Sequence, residues 1–172
     1  MFYLPMYNVN SLKGLYDMIL DIVRPGFVIA EVGSFAGVSS DLFARYCSMV
    51  YCIDIWDSGA IGNGIEPDLM AKAEVMFDSV WNAHKKVIEP IQGMSVEVAQ
   101  QFENGSLDIV YIDGEHSYRS VCADILAWLP KVKPRGWVTG HDMILFDVQR
   151  AVKDTLGDHH KMYEDTSWAY QI

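Results

Sequence analysis

Short apolar runs alternate with longer segments of helical periodicity along almost the whole chain. Between the runs, apolar residues recur every three to four positions, as in helices that pack one face on a sheet. This alternation is typical of an α/β fold with a mostly parallel, doubly wound sheet and helices on both faces. Two short strands in the tail after His160 bring the prediction to about seven strands with an antiparallel last strand. The earlier predicted strands are FVIAEVG from Phe27, MVYCIDIWD from Met49, KKVIEPIQG from Lys85, LDIVYIDG from Leu107 and GWVTGHD from Gly136.

The size and composition of the chain favour one globular domain over residues 1–172. The 172 residues suffice for a sizeable core but are too few for two ordinary domains. A formal net charge of -10 argues against a nucleic-acid partner, because phosphate binding requires a basic surface. The N-terminus lacks the basic start of a signal peptide, and no apolar run approaches the ~20 residues of a membrane span. We therefore expect a cytoplasmic protein that does not bind membranes.

Two segments outside the strands bear on the site. Seven apolar residues with helical spacing predict a helix over Val9 to Val23, with Asn10 or Ser11 as its N-cap. The glycine-rich stretch 57–67 predicts a loop after the second strand. Because its glycines permit movement, we expect this loop to act as the lid of the site.

Polar residues collect where the predicted strands end. Parallel sheets bind ligands at the carboxyl ends of their strands, near the point where the strand order reverses. The sequence therefore predicts one site along this edge of the sheet. The residues at the strand ends are Glu31, Asp54, Gly93–Ser95, Asp113 and Asp142.

A glycine-rich turn, GSFAG, follows the first strand. Gly33 and Gly37 would let the backbone come close to a ligand, although a tight β–α turn with glycines for packing is the alternative. Phe35 stands where a dinucleotide motif has its middle glycine, which disfavours NAD. Asp54, seventeen residues after Gly37, suits a carboxylate that accepts hydrogen bonds from ribose hydroxyls, or else a solvated acid.

The motifs EVGSFAGVSS, YCIDIW, GMS, DIVYIDGEHSY and GHD occur in this order over about residues 10–172. They resemble those of class I S-adenosylmethionine-dependent methyltransferases, which have a Rossmann-like fold. Within that class the chain is similar to small-molecule O-methyltransferases of the cephalosporin-hydroxylase-like and macrocin-type group, and more distantly to catechol O-methyltransferase. The resemblance implies a hydroxyl acceptor and S-adenosylmethionine as cofactor.

The resemblance also implies the cofactor site. Glu31 would lie near the amino group of the methionine moiety, and Ser39 would meet its carboxylate. Asp54 would hold the ribose, while Trp56 would either flank the adenine or only pack. Gly93 and its neighbours would close the adenine pocket. The complete implied set is Glu31, Gly33, Ser34, Phe35, Gly37, Ser39, Asp54, Ile55, Trp56, Gly93, Met94, Ser95 and Asp113.

The acids at two strand ends predict the reaction chemistry. Asp113 and Asp142 would face each other, and two close carboxylates call for a cation such as Mg²⁺ between them. His116 would accept the hydroxyl proton, the position that the general base has in the resembled family. His141 stands where relatives commonly have a carboxylate. The ion could therefore be Mn²⁺, His141 could lie outside the coordination shell, or the site could work without metal.

The acceptor is expected to be a small hydroxylated molecule, such as a sugar or a natural-product intermediate. A homodimer would complete a site that the short N-terminal segment leaves open. The alternatives are transfer to a nitrogen or carbon acceptor instead of a hydroxyl, an S-adenosylmethionine-binding scaffold without catalysis, and an NAD-dependent oxidoreductase. The intact set of Asp113, His116 and Asp142 speaks against the scaffold.

Overall fold

The computed structural model describes residues 12–56 and 67–172. Strands and helices alternate through this part of the chain, as predicted, and none of the described helices has the length and apolar character to cross a membrane. The strands are β1 (Val28–Val32), β2 (Met49–Asp54), β3 (Ile88–Gln92), β4 (Leu107–Ile112), β5 (Val132–Gly140), β6 (Lys161–Met162) and β7 (Trp168–Gln171). The helices are α1 (Lys13–Ile22), α2 (Val38–Ala44), α3 (Pro67–Ala83), α4 (Ser95–Ala99), α5 (Tyr118–Trp128) and α6 (Phe146–Leu156).

The seven strands form one sheet in the order β3-β2-β1-β4-β5-β7-β6. Strands β1 to β5 are parallel, and β7 runs antiparallel between β5 and β6. The predicted α/β fold with its antiparallel last strand is therefore confirmed. The strand order reverses between β1 and β4, so the switch point lies between the glycine turn and Asp113.

The sheet separates two apolar cores because successive residues of a strand point to opposite faces. Ile29 belongs to a core that also contains Leu15 of α1, Phe43 of α2 and Phe77 of α3. Ala30 belongs to the other core, which contains Trp128 and residues of α4, α5 and α6. Helices on both faces thus bury the central strands, whose apolar residues are almost all inaccessible.

Three predicted boundaries differ from the structure or lie outside it. Strand β5 begins at Val132 rather than Gly136, because a shift of register against β4 accommodates Pro134 and Arg135. The proposed cap of the first helix and most of the predicted lid lie outside the described residues. Pro67, the last residue of the predicted loop, is already the first residue of α3.

Gly33 allows the end of β1 to pack closely against the end of β4. Its φ is +89°, and a Cβ atom there would overlap the carbonyl group of Asp113 and lie 2.8 Å from Cα of Gly114. The Asp113 N–H donates to the Val32 carbonyl across the same contact, at 2.8 Å. The close backbone of Asp113 and Gly114, rather than a ligand, therefore accounts for the glycine at this position.

We predict that Gly33→Ala destabilises the fold more than Gly105→Ala. Both glycines have positive φ, but a Cβ at Gly105 would meet no atom within 4 Å, so only Gly33 adds a backbone clash. The left-handed conformation costs about 1–2 kcal/mol at each position, and overpacking adds about 1–3 kcal/mol at Gly33. Urea unfolding of the two variants measures this difference, and equal losses of stability would contradict the close approach.

Candidate active site at the carboxyl edge of the sheet

Four adjacent parallel strands bring the predicted site residues to one edge of the sheet. In the order β2-β1-β4-β5, these strands are followed by Ile55, Gly33, Asp113 and His141. The polar strand ends of the sequence therefore lie side by side, as parallel pairing requires.

The Asp54 carboxylate binds the glycine turn to the end of β2. It accepts hydrogen bonds from the backbone N–H groups of Phe35 at 2.8 Å, Ile55 at 2.7 Å and Trp56 at 3.2 Å. These bonds use three of the roughly four acceptor positions of a carboxylate. Asp54 thus has a structural role in the turn, and ribose binding by its remaining acceptor capacity stays a prediction.

The residues predicted around the adenine lie next to Asp54. The Gly93 N–H donates to the Asp54 carbonyl at 3.0 Å, and Ser95 Oγ accepts from Nε1 of Trp128 at 2.8 Å. Met94 is 55% exposed, so its side chain is available to a ligand. The Trp56 ring packs 4.4 Å from the Phe77 ring, which supports a packing role without testing contact with adenine.

Glu31 is completely buried under the first turn of α2. Its Oε2 accepts hydrogen bonds from Ser34 Oγ at 2.7 Å and from Ser40 Oγ. Its Oε1 has no partner of good hydrogen-bond geometry in the described part of the chain. Burial raises the pKa of Glu31, against the effect of the hydroxyls of Ser39, Ser40 and Ser34. The carboxylate has no contact with solvent, so the predicted contact of Glu31 with the amino group of the cofactor stays a prediction.

His116 lies between the two acids predicted to face each other. Its Nε2 is 2.9 Å from Oδ2 of Asp142 and 3.4 Å from Oδ1 of Asp113. These contacts, to Asp113 first and Asp142 second, raise the pKa of His116 to about 10. In this arrangement His116 is a cation that separates two carboxylates, and its pKa is not the ordinary value near 6.5 that the sequence suggested.

Asp113, His141 and Asp142 could hold a metal ion. One ligand atom from each residue lies within 4.8 Å of the other two, and His141 Nδ1 is 3.3 Å from Oδ1 of Asp142. Hydrogen bonds from His116 and His141 hold the pKa of Asp142 well below its usual range. Burial disfavours the charged form of His141, but the hydrogen bond to Asp142 and the nearby carboxylates outweigh it and raise its pKa.

Two carboxylates and one imidazole fit a divalent cation. The imidazole favours a transition metal such as Mn²⁺ over Mg²⁺. Glu115, the next acid along the chain, instead accepts a hydrogen bond from Ser120 Oγ and is not part of the group.

Asp124 is a buried acid that the motifs did not point to. It lies on α5 and is 6% exposed. A Cβ atom added to Gly114 would lie 3.9 Å from Oδ2 of Asp124. Burial raises its pKa to about 6, against a hydrogen bond with Ser95 that lowers it. A signal was present, because Asp124 occupies the apolar face formed by Val121, Ile125 and Trp128.

We predict that Asp124→Asn stabilises the protein at pH 7 but not at pH 4. The folded state keeps the proton up to about pH 6, whereas the unfolded chain loses it near the ordinary value of 3.8. The protonated Asp124 therefore contributes about 3 kcal/mol to the free energy of unfolding below pH 4, and this contribution is lost as the pH rises to about 6. Urea unfolding of both proteins at the two pH values measures the effect. If the free energies of unfolding of Asp124→Asn and the wild type differ by the same amount at pH 4 and pH 7, this prediction is wrong.

Comparison with known proteins agrees with this architecture. A family model described as Methyltransferase domain matches residues 30–143. An uncharacterized protein of Sinorhizobium fredii, y4gI, is 41% identical over 136 aligned residues, and the alignment covers 72% of this chain but only 14% of that relative. The chain thus spans about a seventh of the length of the curated relative it matches.

Solved structures share the fold at low sequence identity. A methyltransferase from Geobacter sulfurreducens superposes with a TM-score of 0.66 at 14% identity, covering 98% of this chain and 80% of that one. TrmN from Thermus thermophilus superposes with a TM-score of 0.63 at 15% identity, covering 91% of this chain and 47% of that one. The family match over residues 30–143 includes the glycine turn, Asp54, Asp113 and Asp142, and on this evidence the chain belongs to the class I S-adenosylmethionine-dependent methyltransferases.

Proposed function

We propose that this protein is an O-methyltransferase that methylates a hydroxyl of a small molecule with the help of a divalent cation. The observation that carries the proposal is the cluster of Asp113, His116, His141 and Asp142 at the strand ends. It lies beside the switch point, where the family binds S-adenosylmethionine. A cluster of acids and imidazoles suits the binding of a hydroxyl and the removal of its proton.

The cofactor would occupy the edge from the glycine turn to Ser95. The exposed Met94 supports an adenine beside Gly93, whereas the inaccessible carboxylate of Glu31 does not support direct contact with an amino group of the cofactor. Asp54 would hold the ribose while its three backbone contacts keep the turn in place. Phe35 in the glycine turn and Trp56 after β2 both have positive φ, near +40°. Residues other than glycine keep this backbone conformation only where the surrounding contacts hold it, so these two backbone positions are fixed before a ligand binds.

The reaction needs alignment and one proton transfer. The acceptor oxygen attacks the methyl carbon, the S–C bonding pair goes to the sulfur, and the hydroxyl proton passes to Nε2 of His116 in its neutral form, which is the minor form below about pH 10. Asp113 and Asp142 stabilise the resulting imidazolium through the contacts described above. A divalent cation held by Asp113, His141 and Asp142 would supply Lewis acidity that lowers the pKa of the acceptor hydroxyl.

Calorimetric titration tests the cofactor assignment. We expect micromolar binding of S-adenosylmethionine and S-adenosylhomocysteine and no binding of NAD. Asp54→Ala should weaken binding about tenfold to a hundredfold, because it removes a charged acceptor together with the three hydrogen bonds that hold the turn. Glu89→Ala, at an exposed acid on the neighbouring strand β3, is the matched control and should leave the affinity unchanged. Failure of both adenosyl ligands to bind the wild type would refute the proposed function.

Transfer of a labelled methyl group to hydroxylated acceptors tests the chemistry. His116→Ala should lower kcat about a hundredfold or more, while the affinity for S-adenosylhomocysteine stays the same, because the proton acceptor is lost. EDTA should lower kcat, and Mn²⁺ should restore it in the wild type but not in Asp142→Asn. Asp147→Asn, at an exposed acid five residues further on, is the matched control.

The outcomes of this assay separate the parts of the proposal. Full activity in EDTA would remove the cation from the mechanism and leave the proton transfer intact. Unchanged kcat in His116→Ala would exclude His116 as the proton acceptor. Loss of cofactor affinity in the same variant would mean that His116 holds the cofactor instead.

A further inference from the structure

Asp113, His116, His141 and Asp142 form the acid–histidine cluster, and three consecutive exposed apolar residues begin two positions after Asp142. Ile144 is 70% exposed, Leu145 41% and Phe146 74%. We call these three residues the apolar rim. In the described ranges 12–56 and 67–172, no other run of three exposed large apolar side chains occurs. Exposed apolar side chains are common singly, but a contiguous group beside a site indicates binding.

The apolar rim lies on an anchored turn. The Leu145 N–H donates to the Asp142 carbonyl at 2.8 Å, which closes the turn. The Met143 N–H donates to the Thr166 carbonyl, and Gln149 Nε2 donates to the Met143 carbonyl at 2.7 Å. The Met143 side chain is buried in the core beneath. The turn therefore presents the rim in one arrangement and cannot easily bury it.

The apolar rim is within reach of a small molecule bound at Asp142. Consecutive Cα atoms are about 3.8 Å apart, so Ile144 Cα lies within about 8 Å of Asp142 Cα. The rim therefore adjoins Asp142, so that exposed apolar side chains follow closely after the polar groups of the cluster. Polar residues bound the rim on the helix side, since Asp147 and Gln149 are exposed. Three side chains also fall far short of the roughly 800 Å² per partner of a stable protein interface.

We propose that the methyl acceptor is amphipathic, with its hydroxyl at Asp142 and His116 and an aromatic or alkyl body against Ile144, Leu145 and Phe146. This inference rests on the proposed function and narrows its substrate class. A sugar without an apolar substituent would leave the apolar rim exposed to water. The apolar rim therefore determines specificity, and the residues before it carry the chemistry.

Binding to the protein saturated with S-adenosylhomocysteine and Mg²⁺ tests the inference without turnover. The probes are 4-methylcatechol and 1,2-octanediol, with myo-inositol as a polyol that lacks an apolar body. We expect at least one of the first two to bind tenfold or more tightly than inositol and to shift the methyl resonance of Ile144, assigned with Ile144→Val. Phe146→Ser should weaken that binding about tenfold. Leu126→Ser, at a 60% exposed apolar residue in the C-terminal half of α5, should leave that binding unchanged.

Each other result overturns the inference in a distinguishable way. If S-adenosylhomocysteine does not bind, the proposed function fails, and the inference fails with it. If S-adenosylhomocysteine binds but neither apolar probe binds more tightly than inositol, only the inference fails. Equal affinity of Phe146→Ser and Leu126→Ser would also refute it. So would a dimer in analytical ultracentrifugation that Phe146→Ser dissociates, because the apolar rim would then face a second copy.

Discussion

The packing of Gly33 against the backbone of Asp113 and Gly114 determines the geometry of the whole site. It joins the turn after β1 to the end of β4 at the point where the strand order reverses. The turn carries the predicted cofactor residues, and Asp113 begins the acid–histidine cluster. Any side chain at residue 33 would separate these two halves. The distance between the glycine turn and the acid–histidine cluster is therefore set by a backbone contact, which has less freedom to adjust than a contact between flexible side chains.

The acids at the carboxyl edge of the sheet have different hydrogen-bond partners. Hydroxyl groups surround Glu31, which is buried and has a raised pKa. Backbone N–H groups satisfy Asp54. Imidazoles surround Asp142, and their hydrogen bonds lower its pKa. The environments therefore shift the pKa values of two acids in opposite directions, upward at Glu31 by burial and downward at Asp142 by hydrogen bonds from imidazoles.

Much of the fold followed from local patterns, and the errors came from contacts distant in sequence. Alternating apolar runs predicted every strand, because central parallel strands are buried on both faces. The start of β5 was placed too late, since only pairing with β4 carries the chain through Pro134 and Arg135 as a strand. Gly33 was predicted to let the backbone approach a ligand, with packing as the alternative; the structure shows packing against Asp113 and Gly114, because a sequence does not show which atoms approach. Asp124 was missed because its significance depends on burial beneath Gly114.

The sequence by itself determined the fold class, the family and the strand ends at which polar residues gather. These properties depend on periodicity and on motifs contiguous in the chain, which a single sequence displays directly. Only the tertiary structure decided that His116 lies between Asp113 and Asp142, that Glu31 is inaccessible and that the apolar rim is exposed. Each of these is a relation between residues on different elements or between a side chain and solvent. Such relations exist only after the strands pair and the helices pack, because pairing brings distant residues within hydrogen-bond distance and packing decides which side chains lose water.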